Sequence, residues 1–335
     1  MDNKNNNQLN NLIIRDDIYG FFHINESVLI ELIKSNPMQR LKGVSQYGMP
    51  DNYYHKKGYS RYDHSIGVFL LLRKLRAGLE EQISGLLHDV SHTAFSHVID
   101  RVFGDLEKED FQDKNHLRVI ENSELKNILD KYRYDYRKIA DFSNFSLLEK
   151  EIPSLCADRI DYTLRELFTD GFDVKKFILD LDSYKGQIIF KDKSMAFDFA
   201  KKFLGLQKNH WGERNAVVRY EILASVLKKA LNLDILSEND FYKQDYEILN
   251  FLERSEDLLI KNNLKLLRGQ LIIYDVDKGG ISLRKKFRYI DPEIIVDKKI
   301  VKLSKISGEY KEILDKEKEN SSMEKRVFYM GWDDK

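Results

Sequence analysis

Three histidines and an aspartate crowd one short segment, Leu87-His-Asp-Val-Ser-His-Thr-Ala-Phe-Ser-His97, and six of the eight histidines in the chain fall between His55 and His116. Imidazole and carboxylate are the ligands a borderline divalent ion accepts, so this clustering points to a metal. Ligands must be fixed on rigid elements, and three apolar helical segments each supply part of a set. His64 opens the first, His88 and Asp89 close the second, and Asp158 lies in the third. Two imidazoles and two carboxylates leave coordination positions open, as expected of a catalytic rather than a structural site. In the third segment Asp158, Tyr162 and Arg165 follow an i, i+4, i+7 spacing and share a face. A carboxylate, a phenol and a guanidinium together suit an anionic substrate at a metal; taken alone, that helix reads first as a salt-bridge and hydrogen-bond cluster, and the histidine cluster reverses the preference.

The elements that hold these residues are mostly helical. Ser60-Arg-Tyr-Asp63 is a start signal ahead of an apolar run from Ile66 to Leu75 that ends at Gly78. A helix apolar on nearly every side is a buried one. The next, about 80–90, opens with two acids and ends at the His-Asp pair. Further helices are predicted over 96–103, 124–132, 155–168, 194–206 and 213–231, with caps at Ser237 and Ser255 for two more. Strand signals fall at 187–190, 270–276, 287–290 and 326–330. The prediction is a mainly α protein with a small β element toward the C-terminus: a polar, disordered tail over 1–10, a helical core over 11–235 and a helical/β extension over 236–335. The mixed-charge stretch 311–325 reads as a solvated helix face or linker.

Composition narrows the function classes. Lysine plus arginine equal aspartate plus glutamate at 55 each over 335 residues. No global field draws the protein to nucleic acid or an anionic membrane, so neither partner is expected. No stretch has the apolar length of a membrane span, and the Asn-rich start is too polar for a signal peptide; the cytoplasm is the expected location. The single cysteine, Cys156, excludes an internal disulfide and, beside Leu155, reads as a buried structural thiol.

These residues carry a family resemblance. The sequence resembles the HD-domain metal-dependent phosphohydrolases, whose signature is a histidine, a His-Asp pair and a distant aspartate, and most of all their deoxynucleoside triphosphate triphosphohydrolase branch. The similar pieces are Met38–Leu41, Gln46–Gly48, Ser60–Gly67, Leu87–His97 and Ala157–Arg165, in the family's order. The resemblance implies an HD-domain helical bundle and a divalent ion (Mn, Fe, Co, Ni, Zn or Mg) on His64, His88, Asp89 and Asp158. It places His92, His97 and His116 at the reaction centre, with Asp100 orienting His97. Arg61, Arg159 and Tyr162, with Arg165 on the same helix face, would meet phosphate oxygens, and Gln46 the sugar. His23, His55 and His210 have no motif support and read as structural. The basic residues Lys208, Arg214 and Arg219 with Tyr220 do not match the branch's distal-phosphate pattern in spacing.

The expected reaction is hydrolysis of a nucleotide phosphate. Phosphate esters resist hydrolysis so strongly that acid–base help of about 10²–10⁴-fold covers little of the required acceleration, and the metal must supply much of the rest. Two other readings use the same residues: an HD-domain oxygenase holding two irons through His92, His97 and His116, and a nucleotide-sensing or nuclease protein. Relatives of this size often form homo-oligomers.

Overall fold

A computed structural model describes residues 11–104, 110–283, 287–321 and 326–331. The expected 1–10 tail, and part of the 311–325 stretch, lie outside the described residues. The protein is mainly α, as its apolar periodicity predicts, with a few small sheets.

Its central element is the helix Arg61–Lys74, in which Ile66 and Val68 to Leu72 are all buried. Ser60 caps it through a capping box: its hydroxyl accepts the Asp63 N–H, and the Asp63 carboxylate accepts the Ser60 N–H. The helix packs against Leu79–Leu87 on one side and Ala157–Thr169 on another. Each fully buried Leu or Phe here contributes about 2 kcal/mol of apolar transfer, which fixes these three elements as the rigid frame of the site. The helix expected over 80–90 ends at Leu87, so His88 and Asp89 begin the following turn. Residues 96–101 form a 3-10 helix rather than an α-helix.

Two sets of buried apolar side chains divide the interior. The first surrounds the central helix and includes Phe177, Phe190, Phe199 and Phe203, with Tyr310 and Leu314 of the helix Gly308–Ser321 packing back onto it. The second gathers Arg214–Asn232, Asp245–Glu253 and Leu258–Arg268 around Phe95, Val98 and Phe241. Arg214–Asn232, grouped by the sequence with the preceding core, thus belongs to the second set, and segment 290–314 to the first. Asp245 ties the two together by accepting the Ser45 and Phe95 N–H groups at 2.8 and 2.9 Å.

Three small sheets complete the fold. Strands β1 (Leu12–Asp16) and β2 (Gly20–Ile24) form an N-terminal antiparallel hairpin that the sequence reading missed. β3 (Leu181–Tyr184) pairs with β4 (Gln187–Phe190), beyond which β7 (Glu293–Val296) runs parallel to β4 and antiparallel to β8 (Lys299–Lys302). β5 (Leu271–Asp275) and β6 (Ile281–Ser282) flank β9 (Arg326–Gly331). The strand expected at 287–290 is irregular backbone; Phe287 and Tyr289 stack on each other, and the strand starts after Pro292. No helix of the described residues is long and apolar enough to cross a membrane.

Candidate metal centre

His64 lies one turn inside the Ser60-capped helix and is fully buried. Its Nδ1 lies 2.7 Å from Asp161 Oδ2, an oxygen that also accepts Arg165 Nε at 2.8 Å. His88, directly after Leu87, places Nδ1 2.8 Å from the Gly85 carbonyl. A carbonyl can only accept, so the His88 ring carries a proton on Nδ1, whereas His64 faces a carboxylate from each ring nitrogen, Asp161 at Nδ1 and Asp158 at Nε2. The two Nε2 atoms face each other, 3.2 Å apart. Asp158 Oδ1 is 2.8 Å from His64 Nε2 and 3.5 Å from His88 Nε2. Asp89 reaches from the other side, Oδ1 at 3.4 Å from His88 Nε2 and Oδ2 at 4.0 Å from His64 Nε2. Ligand atoms of His64, His88 and Asp89 lie within 4.8 Å of one another, and Asp158 joins them through the two imidazoles.

Such a donor set fits a borderline divalent cation. Two imidazole nitrogens and two carboxylates converge on one point, and the second ring nitrogen of each imidazole is held by an acceptor, as in metal-ligating histidines generally. The electrostatics agree. Burial alone would pull His88 down, but Asp89 and Asp158 outweigh it and push it up to about 9. His64 is likewise raised, burial being overcome by Asp158 and Asp161. Asp89 is kept well below the usual carboxylate range, burial notwithstanding, by Arg61 and His88. The pocket therefore favours positive charge between its carboxylates.

Around the four, the other predicted residues are unevenly placed. His92 Nε2 is 3.3 Å from Asp89 Oδ1; burial and Arg61 pull its pKa down to about 3. His97 packs edge-on to His92 with Asp100 3.2 Å from its Nδ1, and its side chain is 33% exposed, the most open of the group. His116 is buried with Nδ1 on Ser91 Oγ at 2.9 Å, and its Nε2 has no hydrogen-bond partner. Gln112 braces the same turn by donating to the His88 carbonyl and to Ser91 Oγ. Arg61 spends Nη1 on Asp89 at 2.8 Å and Nε on Ser96 Oγ at 3.0 Å, leaving Nη2 buried and, among the described residues, without a partner. Gln46 Oε1 is also buried and unpaired. Tyr162 packs near His64 and edge-on to Trp211.

Two arginines sit otherwise than the sequence suggests. Arg159 donates to the Ser154 and Lys150 carbonyls and to Cys156 Sγ, so it clamps the loop before its own helix. Arg165 is committed to Asp161 and to Asp16, the latter at 2.7 Å, and is buried. It shares a helix face with Asp158 in spacing, but Asp161 lies between and captures it. Cys156 is buried, its thiol pushed up first by burial and then by Glu149. Farther along, Arg219 holds the Tyr53 and Gly269 carbonyls, Arg214 pairs with Asp275, and His210 is a satisfied core histidine between Glu166 and Tyr54.

Sequence reasoning missed Asp161, three residues past Asp158 on the same helix, and Asp16. The i, i+3 spacing of the two aspartates was an available signal for the first; nothing local marks the second.

The HD domain family model matches residues 61–166. Over 300 residues the chain is 41% identical to the uncharacterized protein YdhJ of Bacillus subtilis, covering 88% of this chain and 92% of that one. It is 28% identical over 298 residues to the metal-dependent phosphohydrolase cns2 of Cordyceps militaris, covering 85% of each. The crystal structure of a phosphohydrolase from Bacteroides thetaiotaomicron superposes with a TM-score of 0.67 at 18% identity, covering 95% of this chain and 98% of that one, a likeness of fold.

Proposed function

Because this chain belongs to the HD-domain metal-dependent phosphohydrolases, we propose that it hydrolyses a phosphate bond of a nucleotide, a (deoxy)nucleoside triphosphate being the first candidate. The observation that carries the reading is the convergence of His64, His88, Asp89 and Asp158, from three separate elements, on one point between two facing Nε2 atoms. A divalent ion held there supplies Lewis-acid polarisation of a phosphate oxygen and lowers the pKa of water.

The chain's own residues support binding and proton transfer. A buried donor without a partner costs about 1–3 kcal/mol, and Arg61 Nη2 is such a donor beside Asp89. A phosphate oxygen next to the four ligands would satisfy it. Gln46 Oε1 is a second unpaired group, and Ser45 beside it is tied by its carbonyl to Ser96 and so to Arg61; a sugar hydroxyl suits it. His97, more open than His92 and oriented by Asp100, is the group placed to protonate a leaving oxygen. The triphosphate form of the reading rests on the sequence motifs and on 30% identity over 106 residues to a deoxynucleoside triphosphate triphosphohydrolase of Danio rerio; Arg214 and Arg219 are engaged elsewhere. The di-iron alternative needs His92, His97 and His116 as extra ligands, and among the described residues no metal-ligand cluster contains them.

The test is a screen of nucleoside mono-, di- and triphosphates against Mn²⁺, Fe²⁺, Co²⁺, Ni²⁺, Zn²⁺ and Mg²⁺, separating phosphate, pyrophosphate and triphosphate as products. Turnover that disappears in His88→Ala along with about one bound ion per chain is the expected result. Full turnover without any ion would overturn the reading, and oxygen consumption with two irons would replace it by the oxygenase.

A further inference from the structure

A line of buried polar groups runs from the metal centre to the N-terminal hairpin. His64 Nδ1 lies against Asp161 Oδ2, Arg165 Nε donates to the same oxygen, and Arg165 Nη2 donates to Asp16 Oδ2 at 2.7 Å. All four side chains are buried. Asp16 is itself locked by the turn between β1 and β2, its Oδ1 accepting the Ile18 and Tyr19 N–H groups at 2.9 and 3.0 Å. Tyr19 packs on the same network, its phenol raised by burial and by the charge of Asp161. Gly67 of the central helix provides the room: a Cβ there would overlap Asp161 Oδ1 and Arg165 Nη2.

We infer that Asp16 is a positioning residue for His64, so that the N-terminal hairpin sets the aim of the imidazole across Arg165 and Asp161. This rests on the metal reading above. Arg165 is one cation shared by two carboxylates. Held at both ends, the guanidinium fixes Asp161 Oδ2 in place, and that oxygen fixes the His64 ring with Nε2 turned toward Asp158 and Asp89. Without Asp16 the guanidinium is held at one end only, and Asp161 and the ring it orients are released to move. A structural role alone would affect stability and leave the ring nitrogens unchanged.

The experiment compares wild type, Asp16→Asn and, as a buried-arginine control in the second core, Arg219→Lys. Asn keeps the size of Asp16 and one oxygen for the turn. Two readouts are taken well below the unfolding temperature: ¹⁵N NMR of the His64 ring in metal-free protein, and Mn²⁺ affinity by equilibrium dialysis. Removing a direct outer-shell partner of a metal ligand costs about 10–100-fold in affinity; one step farther out, Asp16→Asn is expected to cost about three- to tenfold, and the His64 ring signals should shift and broaden as the ring loses its fixed orientation. Arg219→Lys should leave both unchanged. Wild-type Mn²⁺ affinity together with a wild-type His64 signal in Asp16→Asn overturns the inference, as does an equal loss in Arg219→Lys. If wild type binds no Mn²⁺ the metal reading is what fails, and the ring signal still decides the role of Asp16. Should Asp16→Asn not fold, Arg165→Lys serves instead, because an ammonium cannot span both carboxylates as the guanidinium fork does; it must shift the same signal, and an unchanged signal overturns the inference.

Discussion

Replacing Gly67 by alanine separates the stability of the frame from the quality of the site. In a helix interior Ala is favoured over Gly by about 1 kcal/mol, so at an open position the variant would be more stable. Gly67 is not open: the added methyl meets Asp161 Oδ1 and Arg165 Nη2 from the neighbouring helix. Overpacking of that kind costs about 1–3 kcal/mol, which makes the net change in stability range from near zero to a loss of about 2 kcal/mol. The effect on the metal is larger in proportion. Asp161 must move, and it is the group that holds His64 Nδ1. Losing such a partner lowers metal affinity about 10–100-fold, or about 1.4–2.7 kcal/mol. Urea denaturation in the presence of a chelator gives the first quantity, and Mn²⁺ dialysis on the folded protein gives the second. A variant that binds Mn²⁺ as wild type does and gains the full helix-propensity increment would show that the two helices do not meet at Asp161 as described.

His97→Ala should abolish turnover while one ion per chain and the denaturation midpoint are kept, because His97 touches none of the four ligands; wild-type rates in that variant would remove it from the reaction. Ser60→Ala should lose about 1 kcal/mol in urea denaturation, the usual cost of an N-cap, since its hydroxyl accepts the Asp63 N–H. A third outcome concerns pH. Burial raises Asp245 to about 6 against an ordinary 3.8, the Ser45 and Phe95 N–H groups only partly offsetting it. The folded protein therefore binds this proton more tightly than the unfolded chain between about pH 4 and 6. Stability from this group falls as pH rises through that window, by about 3 kcal/mol in total, and is flat above it. Asp245→Asn should remove that slope from urea midpoints measured between pH 4 and 7; a mutant with the same slope as wild type would assign it to another group.

How far the sequence could be read follows from the range over which each residue acts. The Ser60 capping box, the wholly apolar central helix and the His-Asp pair at a helix end are local patterns, and their elements stand within a few residues of where the periodicity puts them. The convergence of His64, His88, Asp89 and Asp158 was legible because residue type narrows the choice: few histidines exist, and most lie in one stretch. Residue type says much less for arginine. Arg159 and Arg165 both read as phosphate contacts, yet Arg159 is held by the carbonyls of the loop before its own helix, and Arg165 by Asp161 one turn back and by Asp16, which only the folded chain brings near. The N-terminal hairpin was missed for a related reason. Its strands are five residues each, alternate only weakly, and depend on long-range contacts such as that of Asp16 with Arg165, 149 residues away in sequence.

The same distinction decides what the site can be asked to do. On the proposed reading, four ligands on and just after rigid helices define a cation position whatever the substrate, whereas phosphate number depends on cations that must be free to meet it. Arg61 meets that condition, with one guanidinium nitrogen on Asp89 and another buried without a partner; Arg159 and Arg165 do not. On the proposed reading that nitrogen of Arg61 meets the phosphate that reacts. If a triphosphate is the substrate, its two outer phosphates must find their charge partners outside these three arginines, so Arg61→Lys should impair mono- and triphosphate substrates alike. Selective loss of triphosphate hydrolysis in that variant, measured as kcat/KM on matched nucleotides, would place Arg61 on an outer phosphate instead.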